Sequence, residues 1–472
     1  MRLDDILYGT DVIAACADAS ADIKDVVNDS DKAAPHTVFC ACRGERENGE
    51  DYIAQALQRR CAAVICEHAP AVPCAYVTVP DAREAYARAC ARINGDPQKK
   101  LRLFAVTGTN GKTTTTSMLH HILCRLYGKD SAALIGGVDN IVCGNRYRAE
   151  MTTPDPHELY AYLAQAVKGG ARYGVIEASS HALDYKKLVP CRFDVGAMTN
   201  LTEDHLDHHK TMDEYFISKQ KLIPLCGRFV SNEDDVYTRR IDCPHFSLYG
   251  AEFTAEIISL DKNGSVFRYH GMTDADCRIS VCGKFNVYNA LAALCMAELA
   301  GTDGKYAADA LSDFQGVRGR FTVHELKNGA DAVIDYAHTP DALENALLTA
   351  RQLYKDRLIS VFGCGGDRDR NKRAVMGAIS SRIADLTVIT EDNSRSEEPG
   401  AIIKDILKGV DKNSAYKVIE DRKSAILYAL GIARGGDVVL LAGKGHEDYE
   451  TDREGKRPFS EAEIIREFNN GG

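Results

Sequence analysis

The segment Val106-Thr107-Gly108-Thr109-Asn110-Gly111-Lys112-Thr113 constrains this chain more than any other. It follows an apolar run at 101–106 that reads as a buried strand, and it opens a stretch whose apolar spacing at 118–126 is helical. A strand, a glycine-containing turn and a helix N-terminus in that order make a phosphate loop, and a parallel α/β sheet is the scaffold that carries one. Gly108 and Gly111 would let backbone N–H groups at Thr109 and Asn110 turn inward. Lys112 would neutralise the β- and γ-phosphates of ATP, and the hydroxyl of Thr113, followed by Thr114, would bind Mg²⁺. The first glycine of the usual G-x-x-x-x-G-K-[ST] spacing is missing. The loop alone does not separate motors, switches, kinases and ligases.

Strands and helices alternate along most of the 472 residues, a length that calls for more than one core, and three domains are expected. Residues 1–98 set short apolar runs (37–42, 62–66, 75–79) against a helical segment at 51–58 and end at the turn Asn94-Gly95-Asp96-Pro97. Residues 99–317 carry the phosphate loop, buried strands at 174–178 and 194–198, and a helix at 213–225. Between 246 and 281 the pattern shortens, with turns at Asn263-Gly264 and His270-Gly271, which predicts an antiparallel appendage; helices at 286–299 and 306–314 follow. Residues 318–472 resume the alternation with strands at 332–335, 358–363, 386–390 and 438–442, as in a doubly wound sheet. The expected fold is therefore α/β, with a central P-loop parallel-sheet domain between an N-terminal α/β domain and a C-terminal Rossmann-like domain.

A formal net charge of -10 argues against non-specific binding of nucleic acid or an anionic membrane, so anionic ligands must be caught locally. Residues 1–20 have no continuous apolar stretch, which predicts neither signal peptide nor anchor and places the chain in the cytoplasm. The 16 cysteines are scattered among apolar residues and read as reduced core thiols; Cys40 with Cys42, and Cys61 with Cys66, lack a second pair at zinc-ligand spacing.

Carboxylates and imidazoles cluster after the central strands. Glu177, at the carboxyl end of a strand, begins Glu177-Ala178-Ser179-Ser180-His181, where a carboxylate can hold Mg²⁺ and either serine can cap a helix. The run from Thr199 to His209 packs three histidines and three carboxylates after the next strand. Some of these should bind metal, while solvated loop charge is the plainer reading for His208 and His209.

With its loop written TGTNGKTTT at 107–115, the chain resembles the Mur ligase family, and within it the MurE type, over nearly its whole length and most strongly at 101–449. The resemblance implies that His205 attends Mg²⁺ and that Lys219 is carbamylated and holds a second Mg²⁺, with Lys221 as a rival in register. Lys112, Glu177, His205 and Lys219 would then be the catalytic set. It also implies that Thr152 and Thr153, in Thr152-Thr153-Pro154, bind the nucleotide-linked substrate together with Ser179, Lys187 and Ser30. Here the family's Asp-Ser-Arg becomes Asp29-Ser30-Asp31, and Lys187 replaces an arginine, giving up a bidentate fork. On the ATP side the resemblance places Asn286 and Asn289 near adenine and Arg320 on phosphate, with Asp335 and His338 in the signature Asp335-Tyr336-Ala337-His338-Thr339-Pro340-Asp341.

An amino acid pocket is implied at Arg368, at Asp392-Asn393-Ser394-Arg395, and at Gly443 and Glu447. Family members that use meso-diaminopimelate carry DNPR there, the arginine reading the distal carboxylate. Arg395 is kept and the proline becomes Ser394, so diaminopimelate is favoured. The implied activity is ATP-dependent addition of this third amino acid to UDP-MurNAc-L-Ala-D-Glu through an acyl phosphate, in peptidoglycan precursor synthesis. The expected partners are those two substrates, ATP and Mg²⁺, with no nucleic acid and no membrane; a monomer that opens and closes is expected. Open alternatives at this stage are another Mur ligase, a folylpolyglutamate-type ligase, a catalytically weakened paralogue, or a P-loop motor or switch.

Overall fold

Eleven strands form the central sheet of the protein, described here from a computed structural model that covers residues 1–44 and 47–471, the Asp207 side chain excepted. An interior strand, Arg102–Thr107, is buried beyond Arg102 and lies parallel between Tyr173–Glu177 and Phe193–Met198. The register pairs Glu177 with Val106 and Met198 with Thr107, so these strands all end at one level. The loops that leave them, at 108–111, 178–179 and 199–205, therefore open onto the same edge, where open α/β sheets bind ligands.

The helix Lys112–Tyr127 packs against Lys284–Leu299. The latter is buried on nearly every side, and its alanines at 290, 292, 293 and 297 permit close approach. Residues 246–281 depart from the expected appendage. The strands His245–Ser247 and Phe253–Asp261 pair in parallel and extend the central sheet, and only then do Gly264–His270 and Ala275–Ile279 add antiparallel strands at its edge. The cause is a continuous core: Phe246, Phe253, Phe267 and Tyr269 share one apolar cluster with Leu291 and Met296, so these strands have no core of their own.

The N-terminal sheet has five strands in the order Ala14–Cys16, Tyr76–Thr78, Ala63–Cys66, Thr37–Cys40, Asp25–Val27, all parallel but the first. Its helix Ala82–Ile93 meets the central helix Pro156–Lys168, and Tyr86 and Cys90 join Leu159 and Tyr160 in one cluster. The boundary proposed at 98/99 thus lies on a shared core.

The third sheet has six strands, with Val438–Ala442 between Asp331–Asp335 and Leu358–Phe362 and with Asp335 and Phe362 both level with Ala442. The loops after these strands gather residues 336–341, 363–369 and 443–447 at one edge. That edge faces the phosphate loop: Asn110 Nδ2 donates to Asp341 Oδ2 at 2.8 Å, and Arg148 meets Asp448 at 3.8 Å. The arrangement is closed.

Candidate active site

The phosphate loop is shaped by what touches its glycines. Gly108 and Gly111 have φ of 138° and 86°, a region that favours glycine. A Cβ at Gly108 would run into the Thr199 hydroxyl, and one at Gly111 into Asn289 Oδ1. Thr199 Oγ1 donates to Asn110 O at 2.6 Å, and Asn110 N donates to Asn200 Oδ1 at 2.9 Å. Asn289 Nδ2 donates to Asn286 Oδ1 at 3.2 Å, and both asparagines are buried beneath the loop.

Two lysines converge on one carbonyl: Lys112 Nζ and Lys219 Nζ donate to Gly108 O at 2.9 and 2.8 Å. Lys219 is 1% exposed, and its ammonium lies 4.4 Å from the centre of the Tyr215 ring. Burial, reinforced by the charge of Lys112, pushes Lys219 well below the ordinary lysine range; burial also pulls Lys112 down. Lys221, two residues on, is half exposed and bonded to Asp184 at 2.6 Å, so the lysine that reaches the loop is Lys219.

Opposite the lysines, Thr113 Oγ1 donates to Glu177 Oε2 at 3.0 Å and receives Arg320 Nη2 at 3.1 Å. Burial raises the Glu177 carboxyl against the N–H of Gly137, 2.8 Å from Oε1, and the charges of Lys112 and Arg320. Arg320 crosses from the third domain over the Tyr336 ring at 4.7 Å, and among the described residues its buried Nε has no hydrogen-bond partner. The N–H groups of Thr109 and Asn110, expected to turn toward phosphate, are instead taken by Asn200 O and Oδ1; the buried cations and the guanidinium N–H of Arg320 are what an anion would satisfy. The oxygen donors of Thr113 and Glu177 fit a hard divalent cation.

His205, at φ 54°, has its ring 5.1 Å from that of His181 and 6.2 Å from that of Tyr215, with Asp204 at 3.3 Å, and its side chain is 43% exposed. His338 Nδ1 lies 2.8 Å from Tyr336 O, and Asp335 Oδ2 accepts from Phe321 N at 2.7 Å; burial raises the Asp335 carboxyl to about 6. Both residues therefore shape the strand end beside Arg320.

Two cavities flank the cluster. One of about 460 Å³ lies between the first and second sheets, with Ser30, Asp31, Arg83, Asp155, Tyr185 and Lys187 in its wall. Lys187 Nζ reaches Thr153 O at 3.4 Å, Thr153 Oγ1 donates to the backbone carbonyl of Glu177 at 2.7 Å, and Ser179 N donates to Thr153 Oγ1 at 3.1 Å, a chain from the cavity to the strand end that carries Glu177. Ser179 also caps the helix Ser180–Asp184, accepting from Ala182 N at 3.2 Å. Thr152 sits against Gly137.

The second cavity, of about 150 Å³, is bounded by Asp204 and His205 on one side and by Arg368, Asn393, Arg395 and Glu447 on the other. Asn393 Nδ2 donates to Glu447 Oε2 at 2.8 Å, and its Oδ1 accepts from the buried Lys444 at 2.7 Å. Burial alone would raise the Asp392 carboxyl, but Lys444 at 3.3 Å and Arg422 hold it at about 2. Arg395, at φ 51°, donates to Gly366 O at 2.7 Å.

The chain matches the Mur ligase middle domain at residues 106–297 and the Mur ligase glutamate ligase domain at 319–445. It is 38% identical to UDP-N-acetylmuramoyl-L-alanyl-D-glutamate--2,6-diaminopimelate ligase 1 of Clostridium acetobutylicum over 99% of each chain. It is 40% identical to the ligase without the numeral from Thermosynechococcus vestitus, over 94% of this chain and 93% of that one. The chain belongs to the Mur ligase family, in its MurE branch. A solved structure of a UDP-N-acetylmuramoyl-L-alanyl-D-glutamate--2,6-diaminopimelate ligase superposes with a TM-score of 0.69 at 30% identity, covering 100% of this chain and 99% of the other. MurF from Acinetobacter baumannii, 19% identical and covering 95% and 94%, shares the fold with a TM-score of 0.66.

The departures of this Mur ligase from the family pattern have local partners. Asp31 accepts from Arg59 at 2.5 Å and Gln55 at 3.0 Å, so its charge is balanced within the first domain. Ser394 is buried, and its carbonyl accepts Glu397 N at 3.0 Å, which closes the turn without proline. Sequence reasoning missed Arg83, stacked 4.1 Å from the Tyr185 ring in the first cavity. It also missed the fully buried Arg422, which pairs with Glu461 at 2.8 Å and donates to Glu391 O and Ala442 O, tying together the two loops of the second cavity. Neither arginine lies in a recognisable motif.

Proposed function

We propose that this Mur ligase joins 2,6-diaminopimelate to the D-glutamate of UDP-MurNAc-L-Ala-D-Glu at the expense of ATP, in the cytoplasm and as a monomer. The observation that carries this reading is that the Arg395 cavity opens directly onto Asp204 and His205, at the edge of the phosphate-loop cluster. An amine held there lies beside the place where a carboxylate would be phosphorylated.

In this reading the nucleotide end of the substrate occupies the cavity of Ser30 and Lys187, and its peptide runs past Thr152, Thr153 and Ser179 toward Glu177. Thr109, Asn110, Thr113 and Thr114 hold the phosphates of ATP, and Lys112 and Arg320 neutralise them. Asn286 and Asn289 support the loop on the adenine side, while Asp335 and His338 brace Arg320. Mg²⁺, held by Thr113, Glu177, His205 and a carbamylated Lys219, supplies charge neutralisation at the transferring phosphoryl group. The low pKa of Lys219 favours the free amine, which adds CO₂ and releases a proton to become a carboxylate.

The substrate carboxylate attacks the γ-phosphorus and ADP leaves; the amine of diaminopimelate then attacks the acyl carbon and phosphate leaves. Arg395 and Arg368 bind the distal carboxylate, and Asp392, Asn393, Gly443 and Glu447 bind the distal amine, with Ser394 setting the turn. Purified protein given ATP, UDP-MurNAc-L-Ala-D-Glu and one amino acid at a time should release phosphate with diaminopimelate and far less with lysine or ornithine. Phosphate release that no amino acid stimulates would overturn the ligase reading.

A further inference from the structure

His208 and His209 are expected from the sequence to be solvated loop charge, yet they close on Asp184. The short helices Ser180–Asp184 and Leu206–His209 meet end to end of their last turns, with Asp184 18%, His208 16% and His209 3% exposed as side chains. Asp184 Oδ2 lies 3.4 Å from His208 Nε2 and 3.7 Å from His209 Nδ1, and the three ligand atoms lie within 4.8 Å of one another. Ligands bound at ~2.1 Å around a tetrahedral ion are about 3.4 Å apart, so these atoms need little movement to share one.

The outer contacts orient the set as metal ligands are commonly oriented. His209 Nε2 lies 2.9 Å from Ser180 Oγ, which leaves Nδ1 toward Asp184. Asp184 Oδ1 accepts from Ser218 Oγ at 2.8 Å and Lys221 Nζ at 2.6 Å, which leaves Oδ2 for the imidazoles. None of the three residues belongs to the Mg²⁺ set assigned above.

We propose that Asp184, His208 and His209 form a second cation site that takes a borderline divalent transition ion such as Zn²⁺. Two imidazoles and one carboxylate suit that class, whereas Mg²⁺ prefers oxygen donors and retained water. Partial exposure of Asp184 and His208 leaves room for water as a fourth ligand. Occupied, the site staples the Ser180–Asp184 helix to the segment leading into Met212–Gln220, the helix that carries Lys219.

The test is titration of the full-length protein with Co²⁺, a spectroscopic stand-in for Zn²⁺, in excess Mg²⁺ so that the oxygen-rich positions are filled. The expected result is one bound Co²⁺ with visible ligand-field bands and a rise in Tm; His208→Phe weakens binding at least tenfold. Absence of stoichiometric binding, or undiminished binding by His208→Phe, overturns the proposal. Imidazole ¹⁵N spectra of the unsubstituted protein provide a readout independent of any variant: His208 Nε2 and His209 Nδ1 must shift on adding Zn²⁺, and unmoved resonances exclude the site.

Discussion

Lys219 is fully buried beside a second lysine and, among the described residues, has no ion-pair partner. An uncompensated buried ammonium is costly, and conversion to a carbamate removes the repulsion from Lys112 and creates an attraction in its place. Lys219→Ala should reduce kcat by roughly 10²–10³, the scale set by removing one preorganised electrostatic group. A carbamate carbonyl signal after ¹³C-bicarbonate labelling should be present in the parent protein and absent in the variant. Asp392 makes a separate prediction about stability. Its pKa is lower in the folded than in the unfolded chain, so its contribution is complete above about pH 4 and vanishes as pH falls toward 2. Two pKa units correspond to about 2–3 kcal/mol. Asp392→Asn should lower stability at pH 7 by about that amount and flatten the acid limb, measurable by urea unfolding between pH 7 and 3.

Among the elements, the phosphate loop is the least tolerant. Gly108 combines positive φ with direct contact against Thr199, on the neighbouring strand end. Gly108→Ala should cost about 1–3 kcal/mol locally and weaken ADP binding at least tenfold by calorimetry, while the sheet below, buried at Leu103, Phe104 and Ala105, keeps its far-ultraviolet circular dichroism. Unchanged ADP affinity would mean that the loop shape does not set nucleotide binding. The helix Lys284–Leu299 contributes differently: Asn289 meets the loop at Gly111 and is braced by Asn286, so its first two turns support the loop while the rest fills the core.

At the scale of the molecule, the central and third sheets meet through polar contacts and through an apolar cluster. Beside the phosphate loop, Asn110 Nδ2 to Asp341, Arg320 to Thr113 and Arg148 to Asp448 join them, while farther off Cys282 and Phe285 lie in one apolar cluster with Phe321 and Leu347. The contacts beside the loop are polar, so separating them exposes no apolar core, and reversible closure is expected of a ligase that must admit and release substrates. Asp341→Ala should shift the balance toward an open form by about 1 kcal/mol, the worth of one hydrogen bond. A larger radius of gyration in solution scattering and a raised KM for the amino acid should accompany it, with ATP affinity little changed. The interface of the first and second sheets shares an apolar core and should stay docked under the same conditions.

Much of the candidate site is local in the order of residues. The phosphate loop, the Glu177 run, the seven-residue signature at Asp335 and the Asp392–Arg395 run each sit at a strand end, and strand, turn and helix follow one another within a few residues. Their residue types state their chemistry without reference to distant partners. The choice of Lys219 over Lys221 belongs to tertiary structure, since neighbours on one helix differ only in what lies across from them. So do the arginine that balances Asp31, the buried Arg422 that ties two loops together, the three ligand atoms at Asp184, and the strands after 246 that extend the central sheet. Each depends on groups brought together from far along the chain, and no local period or propensity encodes which distant group a buried side chain will meet.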